Sequence, residues 1–427
     1  MELKKNISYA DARDLLLEQV QPLKKENVVL SEAGLRILGE DIAASENIPS
    51  FDKSPYDGYA LRAADTKGVS KENPVTLKIV EEVPAGCVAT KSVGEKEAVK
   101  ILTGAPIPAG ADAVVPFEDT EFTPETVTIF VECSSGENVI FAGEDIRKGE
   151  VLATEGTPMD EAVCGMLAAL GIATPTVYKQ PLIGLLSTGR ELVEIGESVD
   201  TGLEKASQET LDQLSVAALS TSGQIFNSNR HMLTAALTRL GFRVKYLGSA
   251  SDKTDVIAER FAEGFKDCDA VISTGGVSVG DYDLTPQAMM QAGAKILIQK
   301  VKLKPGMACA YGMKEEIPVF GLSGNPISAL TNFYAVVLPV LRKLAGYADP
   351  CLAEFDVIMK NDFPKKSKGG RLLRGKLHLE DVVAYMEFSP SQGNIVMSSA
   401  VGMNMMAIVP EGSGPIAKGT KLKGFMI

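Results

Sequence analysis

The sequence predicts a multidomain protein of the α/β plus β class, with a central three-layer α/β domain that contains a parallel-rich sheet. Between residues 181 and 347, short apolar runs alternate with helical segments, which is typical of a parallel sheet covered on both faces. Short β-rich runs separated by Gly and Pro fill residues 46–141 and recur after residue 348. At 427 residues the chain is also too long for one ordinary core, and roughly three domains are expected.

The N-terminal region is predicted to be helical around an inserted β domain. Apolar residues at helical spacing predict a helix over residues 8–20, and a second helix is expected at Glu161–Leu170, where Gly171 could end it. The β-rich runs lie between these helices. We therefore assign 1–45 and 142–180 to one N-terminal domain and 46–141 to an inserted β domain.

The central domain is assigned to residues 181–347. Its predicted elements are strand Leu182–Leu186, helix His231–Leu240, strand Val244–Leu247, helix Asp255–Phe265, strands Ala270–Ser273, Ile296–Leu303 and Val319–Leu322, and helix Ile327–Leu344. Residues 203–222 interrupt this pattern and predict either a helical lid or a surface excursion, since long surface insertions cost little free energy. Residues 348–427 return to short strands and predict a C-terminal domain that resembles a β barrel or sandwich.

Composition and charge exclude several classes of protein. With 45% apolar and 23% charged residues, the chain is close to the globular average, which excludes a disordered protein. No uninterrupted apolar run reaches the roughly 18 residues of a membrane span, and the N-terminus lacks the apolar centre of a signal peptide, so a cytoplasmic protein is expected. The net charge of -12 argues against nonspecific binding of nucleic acid.

The cysteines and histidines limit which kinds of metal site and catalytic site the chain can form. The 6 cysteines stand far apart without a CxxC pair, which argues against a zinc site or a disulfide framework. The chain has only 2 histidines, His231 and His378, which argues against a catalytic site that activates a nucleophile through histidine. A bound metal would therefore be a hard cation such as Mg²⁺, held by carboxylate and phosphate oxygens.

The predicted ligand site lies at the carboxyl edge of the central sheet, where open parallel sheets bind their ligands. Four predicted strands run there into polar turns that contain glycine: Ser187–Glu191, Ser273–Asp283, Lys304–Gly306 and Gly321–Pro326. Glycine allows close approach of the backbone to a ligand, and amides at the next helix start can hold an anion. One such turn is weak evidence, but four at one edge favour a site for a phosphate or oxyanion. None follows the Walker or GxGxxG pattern, which argues against an ATPase or a nicotinamide dehydrogenase.

Charged side chains at these turns have two open interpretations. Glu191, Asp281 and Asp283 are either acids that complement helix N-termini or ligands of a magnesium ion that bridges to a phosphate. The alternation over Lys300–Lys304 predicts three lysines on one face of a strand, either as a solvated edge or with Lys304 reaching an oxyanion.

Three loops outside the central domain also have fixed turn chemistry. They are Ser54–Ala60 around an Asp-Gly pair, Thr103–Asp112 with its small residues and prolines, and Asn138–Asp145. From the residues alone, each loop could be purely architectural.

The order of these motifs resembles the molybdopterin molybdenumtransferases of the MoeA or gephyrin-E type. The matching motifs are SPYDGYA, ILTGAPIPAGADAVV, GEDI, STGxE, NSNR, TGGVSVGDYD, LKPG and GLSGNPISAL, and they extend over essentially the whole chain. The resemblance implies an enzyme that inserts molybdenum from molybdate into adenylylated molybdopterin with Mg²⁺ and releases AMP. It also implies an elongated homodimer with a MogA-like α/β domain, in which the site is shared between subunits. A molybdopterin adenylyltransferase and molybdoenzyme chaperones would be further partners.

The same resemblance implies roles for individual residues. The other subunit's β domains would contribute Asp57, Thr103 and Asp145 to the site. Glu191, Asp252, Lys300 and Lys304 would be catalytic residues of the α/β pocket, with Asp283 and Glu191 as magnesium ligands. Contacts to the pterin or molybdate would come from Thr188, Gly189, Gly275, Gly276, Ser278, Gly280, Pro305, Gly324, Asn325 and Ser328, and in the last domain from Arg374, Ser398 and Ser399. Arg371 is a weaker candidate because the spacing there is ambiguous. Catalysis would be electrostatic more than nucleophilic.

The chain departs from the family pattern at four positions. Arg190 and Asn227 stand where the family often has Asp, Met307 where it commonly has Lys, and Ser323 where Pro is usual. Loss of two acids and one base would change the charge around the phosphate, which leaves open an impaired transferase or one specialised for molybdate or tungstate.

Two alternatives remain at this point. A molybdopterin adenylyltransferase-like enzyme would carry Gly-Thr-Gly where this chain has Val277–Val279, and it would lack the flanking domains. A non-catalytic molybdopterin carrier or scaffold would be expected to have a fused extra domain and a long linker.

Overall fold

The computed structural model describes residues 2–195, 223–277, 284–389 and 391–427. The predicted insertion at 203–222 and the site candidates Ser278, Gly280 and Asp283 lie outside the described residues. The described ranges form one mixed α/β sheet and two separate β sheets with several two-stranded ribbons, so the predicted α/β plus β class is confirmed.

The first part of the chain, up to residue 180, is mostly β structure. Its strands are β1 (Lys4–Ile7), β2 (Lys25–Asn27), β3 (Ile42–Ala43), β4 (Gly58–Leu61), β5 (Val75–Val83), β6 (Glu97–Ile101), β7 (Ala113–Pro116), β8 (Thr120–Phe122), β9 (Thr126–Ile129), β10 (Val151–Ala153) and β11 (Thr176–Tyr178). Its helices are α1 (Tyr9–Gln19) and α2 (Glu161–Ala169), with 3-10 turns at Leu30–Glu32, Ala63–Thr66 and Phe117–Asp119.

The remaining elements form the central domain and the C-terminal domain. The central strands are β12 (Leu182–Thr188), β13 (Leu192–Val193), β14 (Ile225–Phe226), β15 (Arg243–Ala250), β16 (Ala270–Thr274), β17 (Lys295–Val301), β18 (Leu303–Lys304), β19 (Cys309–Lys314) and β20 (Ile317–Leu322). The helices are α3 (Ser228–Arg239), α4 (Thr254–Asp267), α5 (Leu284–Gln291) and α6 (Pro326–Leu344), the last with a π turn at Phe333–Val337. The C-terminal strands are β21 (Glu354–Met359), β22 (Gly370–Glu380), β23 (Val383–Phe388), β24 (Met405–Val409) and β25 (Lys421–Met426), with a 3-10 turn at Met397–Ala400.

The central sheet has 7 strands in the order β1-β17-β19-β20-β16-β12-β15. All of them run in the same direction except β19, which is antiparallel to both neighbours. Strand β16 is buried along its whole length, as expected for a strand covered on both faces. Ser187 is in register with Thr274, and Thr274 with Leu322, so β12, β16 and β20 end side by side. The predicted carboxyl edge is therefore present.

Most predicted elements of this domain are confirmed. Their observed ends differ from the predicted ones where local hydrogen bonds set them. Helix α3 begins at Ser228 and not at His231, because the Asn227 side chain caps it by accepting a hydrogen bond from the Arg230 N–H at 3.2 Å. Helix α5 and strand β19 were not predicted from the sequence.

The predicted single strand Ile296–Leu303 is wrong at its end. Lys300 has a positive φ of 64°, and β17 stops at Val301. Strand β18 then joins a different sheet, where it pairs with β22. The prediction that three lysines share one face of one strand is therefore also wrong. Lys302 points away into an ion pair, with its Nζ 3.4 Å from Glu411 Oε1.

The first twenty residues pack on the central domain. Strand β1 extends the sheet beside β17, and Ser8 caps α1 by accepting a hydrogen bond from the Asp11 N–H at 3.0 Å. The buried stripe Ala12, Leu16 and Val20 joins the core of the α/β domain. Residues 1–45 were assigned to one N-terminal domain. In the structure the first twenty pack on the central domain, and later ones such as Leu38 pack with helix α2.

The inserted region forms its own six-stranded sheet in the order β7-β4-β6-β5-β9-β8. Its two buried clusters consist of residues between Tyr59 and Cys133. Around it, the ribbons β2–β11 and β3–β10 and helix α2 bury a separate cluster that includes Leu38 and Leu167.

The C-terminal strands close into a barrel. In the order β22-β23-β21-β25-β24, the last strand pairs back onto β22, which removes the free edges of the sheet. The predicted barrel is confirmed. Strand β18 pairs parallel with β22 on its other side, so the end of the central sheet and the barrel meet at Lys304.

One described helix is long and apolar enough to span a membrane by length and composition. It is α6, and 89% of the apolar window is buried inside the protein. Such burial is typical of a core helix.

Candidate functional site

Three of the predicted glycine turns come together at the carboxyl edge of the central sheet. The Gly275 N–H donates to Leu322 O at 2.9 Å, and the Thr188 hydroxyl donates to Thr274 O at 3.2 Å. Gly275 and Gly276 have positive φ values of 97° and 65°. A Cβ on Gly275 would lie 2.3 Å from Thr188 O, so the turns after β12 and β16 approach more closely than a side chain allows.

A pocket of about 320 Å³ opens beside this edge, where the central domain meets the barrel. Its wall contains the predicted residues Lys304, Pro305, Asn325 and Ser328. The chain segment Leu303–Ala308 and the turn before α6 supply most of that wall, and the barrel supplies the rest. The fourth glycine turn, Lys304–Gly306, is thus part of the pocket.

The pocket is positively charged. Among the described residues that line it, the charged ones are Lys304 and Arg371, and none is acidic. The two are in register across the β18–β22 pair. Arg371 Nε donates to Ser367 Oγ at 3.0 Å, and its guanidinium lies 5.1 Å from the centre of the Phe363 ring. Partial burial lowers the pKa of Arg371, but an arginine stays protonated at neutral pH.

Arg374 lies behind the pocket wall. It is completely buried, and its Nη2 donates to Ser399 Oγ at 2.8 Å and to Gly393 O at 3.2 Å. Burial lowers its pKa to about 10. Its Nε and Nη1 have no hydrogen-bond partner among the described residues. The structure therefore places Arg371 on the pocket, while Arg374 and Ser399 support the loop behind it and Ser398 is exposed outside the pocket lining.

Two pocket residues were missed from the sequence. Gln392 and Asn394 line the pocket from the loop after β23. The Gln392 side chain fixes this loop, since its Oε1 accepts from the Arg374 N–H at 3.1 Å and its Nε2 donates to Arg374 O at 3.0 Å. The polar run around Gln392 was visible, but no spacing rule connects it to a turn in another domain.

Glu191 and Asp252 lie at the neighbouring ends of β12 and β15. Both are exposed, and the Arg190 N–H donates to Asp252 Oδ2 at 3.4 Å. The Glu191 carboxylate folds back over Gly189, where a Cβ would lie 2.6 Å from its Oε1. Oxygen donors of this kind fit Mg²⁺. In the ranges that the structure describes, no three Asp, Glu, His or Cys side chains converge as a metal site, and Asp283 lies outside them.

A buried polar network beside the edge was not predicted. Glu194 is 7% exposed and accepts hydrogen bonds from Asn227 Nδ2 (2.8 Å), Arg230 Nη1 (2.6 Å), Ser249 Oγ (2.9 Å) and Tyr246 OH. Burial alone would raise the pKa of Glu194, but these donors outweigh it and lower the pKa to about 2. Asn227 also donates to Ser187 Oγ at 2.9 Å. The amide at position 227 is thus matched to a carboxylate neighbour.

The candidates from the inserted region and its flank do not line this pocket. Asp57 accepts hydrogen bonds from the N–H and the hydroxyl of Thr103, both at 2.7 Å, and these bonds lower its pKa. Asp145 is exposed, and its N–H donates to Ile48 O at 3.1 Å. Among hydrogen bonds and ion pairs between described residues, none joins the inserted β domain to the glycine turns or to the pocket wall of the same chain.

Comparison with known proteins agrees with this architecture. Residues 7–171 match the family described as the MoeA N-terminal region (domain I and II), and residues 184–343 match the probable molybdopterin binding domain. The molybdopterin molybdenumtransferase of Bacillus subtilis is 33% identical over 406 residues, covering 94% of this chain and 90% of that protein. The protein of the same name from Staphylococcus aureus (strain Mu50) is 32% identical, covering 97% of this chain and 94% of its own.

Solved structures show the same relationship. The crystal structure of the molybdopterin biosynthesis moeA protein from Pyrococcus horikoshii has a TM-score of 0.77 and 29% identity, covering 99% of this chain and 100% of that one. A molybdenum cofactor biosynthesis protein from Pyrococcus furiosus, at 19% identity and a TM-score of 0.57, shares the fold. The chain therefore belongs to the molybdopterin molybdenumtransferase family and is a transferase of molybdenum cofactor biosynthesis.

Proposed function

We propose that this enzyme inserts molybdenum from molybdate into adenylylated molybdopterin and releases AMP, with magnesium as cofactor. The observation that carries the proposal is the pocket between the central domain and the barrel. In a chain with a net charge of -12, the charged residues that line it within the described ranges are two cations, Lys304 and Arg371. An oxyanion held there would be stabilised by Lys304 and Arg371, because fixed positive groups in a partly enclosed site interact strongly with developing negative charge.

The glycine turns complete the substrate site. Gly275 and Gly276 let the backbone of this turn pack directly against Thr188 and Thr285, since a Cβ on Gly276 would lie 2.4 Å from Thr285 Oγ1, and we propose that the backbone groups of these turns hold the phosphate. A pocket of about 320 Å³ is at the lower end of small-molecule sites, so it has room for part of a pterin beside the oxyanion. Lys304, exposed at the strand end, can follow the oxyanion as it moves toward the pterin.

Magnesium would be held by Glu191 together with Asp283, and when bound it would polarise the phosphoanhydride of the adenylylated pterin. Asp252 lies beside Glu191 and adds negative charge there. The Arg190 side chain, where the family often has Asp, lowers that negative charge. We therefore expect weaker magnesium binding than at a site with a fourth acid at position 190.

We further propose a homodimer with a shared site, in the cytoplasm. The hydrogen-bonded pair Asp57 and Thr103 is exposed and presents a carboxylate whose pKa is lowered. Neither residue lines the pocket of its own chain. A second copy that brings this loop to the pocket would supply a carboxylate, Asp57, to a described lining that contains no acid.

Single-turnover release of AMP tests the proposal. Purified protein with adenylylated molybdopterin and Mg²⁺ should release AMP after molybdate or tungstate is added, in parallel reactions. Lys304→Gln should slow this step about 100-fold, because it removes one charged contact to the oxyanion. The matched control is Lys302→Gln, which removes a cation two residues away that pairs with Glu411 outside the pocket.

Two results would contradict the proposal. Tight binding of adenylylated molybdopterin without AMP release would indicate a carrier. Adenylylation of free molybdopterin by this protein with ATP would indicate the adenylyltransferase-like alternative.

A further inference from the structure

A second pocket, which we call the β-domain pocket, lies within the inserted β domain. Its lining residues belong to β4, β5, β6 and β8 and to the turn after β8. None of them belongs to the central domain or the barrel, and none is a residue that the sequence predicted for the molybdenum site. Its volume of about 530 Å³ is within the range of small-molecule sites. The β-domain pocket is therefore separate from the cationic pocket at Lys304.

One row of side chains crosses three strands in the β-domain pocket. Lys100 on β6 is in register with Tyr59 on β4 and with Glu82 on β5. Residues in register on neighbouring strands point to the same face of a sheet. Lys100 Nζ lies 3.1 Å from Glu82 Oε1, so the charge of the lysine is already paired. The row therefore has a phenol at one end and a carboxylate at the other.

Aromatic rings form an apolar side of the β-domain pocket. The centre of the Tyr59 ring is 5.3 Å from that of Phe117 and 6.0 Å from that of Phe122, as in tilted aromatic packing. Phe122 lies on the edge strand β8 and is 56% exposed, although its ring belongs to this cluster. A ring with this exposure at a pocket can stack on a flat ligand.

The Tyr59 hydroxyl is buried without a hydrogen-bond partner. The residue is fully buried, and its OH has no partner among the described residues. Buried polar groups are normally paired, because an unpaired one has lost its contact with water and gained nothing in return. Burial, followed by the charge of Glu82, raises the pKa of Tyr59, so the hydroxyl keeps its proton at neutral pH. A ligand atom that accepts this proton in a hydrogen bond would remove the cost.

The charged residues of the β-domain pocket disfavour a phosphate group. They are two acids and one base, Glu81, Glu82 and Lys100. The neighbouring loop engages Glu81, whose Oε2 accepts hydrogen bonds from the Thr90 and Lys91 N–H groups, both at 2.9 Å. The Glu82 side chain is 56% exposed, and its ion pair with Lys100 is made through Oε1. Glu82 can therefore accept a hydrogen bond from an amino group of a ligand.

We propose that the β-domain pocket binds an uncharged, flat heteroaromatic ring that carries an amino group, such as a purine nucleoside or a free pterin. The Tyr59 hydroxyl donates to a ring nitrogen, Glu82 accepts from the amino group, and Phe122 stacks on the ring. The proposal does not depend on the transfer reaction, because the two pockets share no residue.

Calorimetric titration of the full-length protein with adenosine and, separately, with pterin tests the proposal. At least one of the two should bind. Pterin-6-carboxylate adds a negative charge to the same ring and should bind more weakly than pterin, because acids outnumber bases in the lining. Binding of adenosine alone would identify the ligand class as purines, and binding of pterin alone would identify it as pterins.

Tyr59→Phe removes the hydroxyl and keeps the ring. The dissociation constant should rise about 2- to 10-fold, as for loss of one hydrogen bond. The midpoint of thermal unfolding should not fall, because the hydroxyl has no partner to lose. Phe122→Leu keeps an apolar side chain and should raise the dissociation constant about 5-fold or more through loss of stacking.

Two control variants locate the binding site. Tyr56→Phe removes the hydroxyl of a tyrosine in the same domain that does not line the β-domain pocket, and it should leave binding unchanged. Lys304→Gln should also leave binding unchanged, since Lys304 lines the other pocket.

Three results would overturn the proposal. The first is that neither adenosine nor pterin binds at millimolar concentration. The second is an unchanged dissociation constant in both Tyr59→Phe and Phe122→Leu when these variants are folded, because the ring would then bind elsewhere. The third is binding that is lost in Lys304→Gln, which would place the ring in the cationic pocket. None of these results depends on whether the protein releases AMP.

Discussion

At the scale of single residues, the edge of the central sheet depends on positions that accept one residue type. Gly275 has a φ of 97°, and a Cβ there would lie 2.3 Å from the carbonyl oxygen of Thr188. Neither the backbone conformation nor the neighbouring strand can change without moving β12 away from β16. The same close approach places the turns after β12 and β16 directly against each other.

We expect Gly275→Ala to destabilise the protein by about 2–4 kcal/mol, from the strain at positive φ and the steric clash with Thr188. Gly324→Ala is the matched control, since its Cβ would make an ordinary 3.6 Å contact with Gly275 Cα. Urea unfolding followed by circular dichroism measures both. Equal stabilities of the two variants would mean that the turns can separate at low cost.

At the scale of secondary-structure elements, the sequence predicted what depends on local pattern. Strand β16 and the long helix α6 were predicted correctly because both are buried, and burial of a segment is visible in its own run of apolar residues. The break between β17 and β18 was not found. It depends on pairing of Lys304 with Arg371, a contact across 67 residues that no local pattern encodes.

The candidate site divides in the same way. Lys304 and Ser328 follow predicted strand ends, and their position on the pocket follows from the parallel sheet. Gln392 and Asn394 belong to the barrel and were not predicted as pocket residues. The Glu194 network was not predicted either, because it forms only where β15, α3 and the segment after β12 pack together. Asn227 stands where the family often has Asp, so the sequence suggested that a carboxylate was lost there. In the structure the Asn227 amide donates a hydrogen bond to the carboxylate of Glu194.

We expect Asn227→Asp to lower the unfolding free energy of the protein by about 2–4 kcal/mol at pH 7. The reason is that two carboxylates would then lie at hydrogen-bond distance from each other inside the protein. The pKa of Glu194 is lowered to about 2, so Glu194 stays ionised well below pH 4.5 and its stabilising contribution is lost only as pH falls from about 4.5 toward 2. The introduced carboxyl should have a raised pKa and protonate first. Once protonated, it can donate to Glu194 as the amide does.

The difference in unfolding free energy between wild type and Asn227→Asp should therefore shrink as pH falls from 7 to about 4. Urea titrations at several pH values measure it, with Asn227→Ser as the uncharged control. A penalty that is independent of pH would show that repulsion from Glu194 is not its cause.

At the scale of the whole molecule, the predicted acids and the cationic pocket lie on different parts of one chain. Asp57 and Thr103 belong to the inserted β domain, whose buried clusters are its own. Lys304 and Arg371 lie where the central domain meets the barrel. Closed twofold symmetry is the commonest arrangement of identical subunits, and it would give two equal sites from two such chains.

Complementation between two inactive variants tests the shared site. Asp57→Ala alone and Lys304→Gln alone should each lose AMP release, because every site in the homodimer lacks one group. Mixed by unfolding and refolding together, they should recover about a quarter of wild-type activity, since about half of the dimers are mixed and one site in each is intact. Tagged subunits and tandem purification isolate the mixed dimer, which should have about half the wild-type activity. A mixed dimer without activity would show that Asp57 and Lys304 act within one chain.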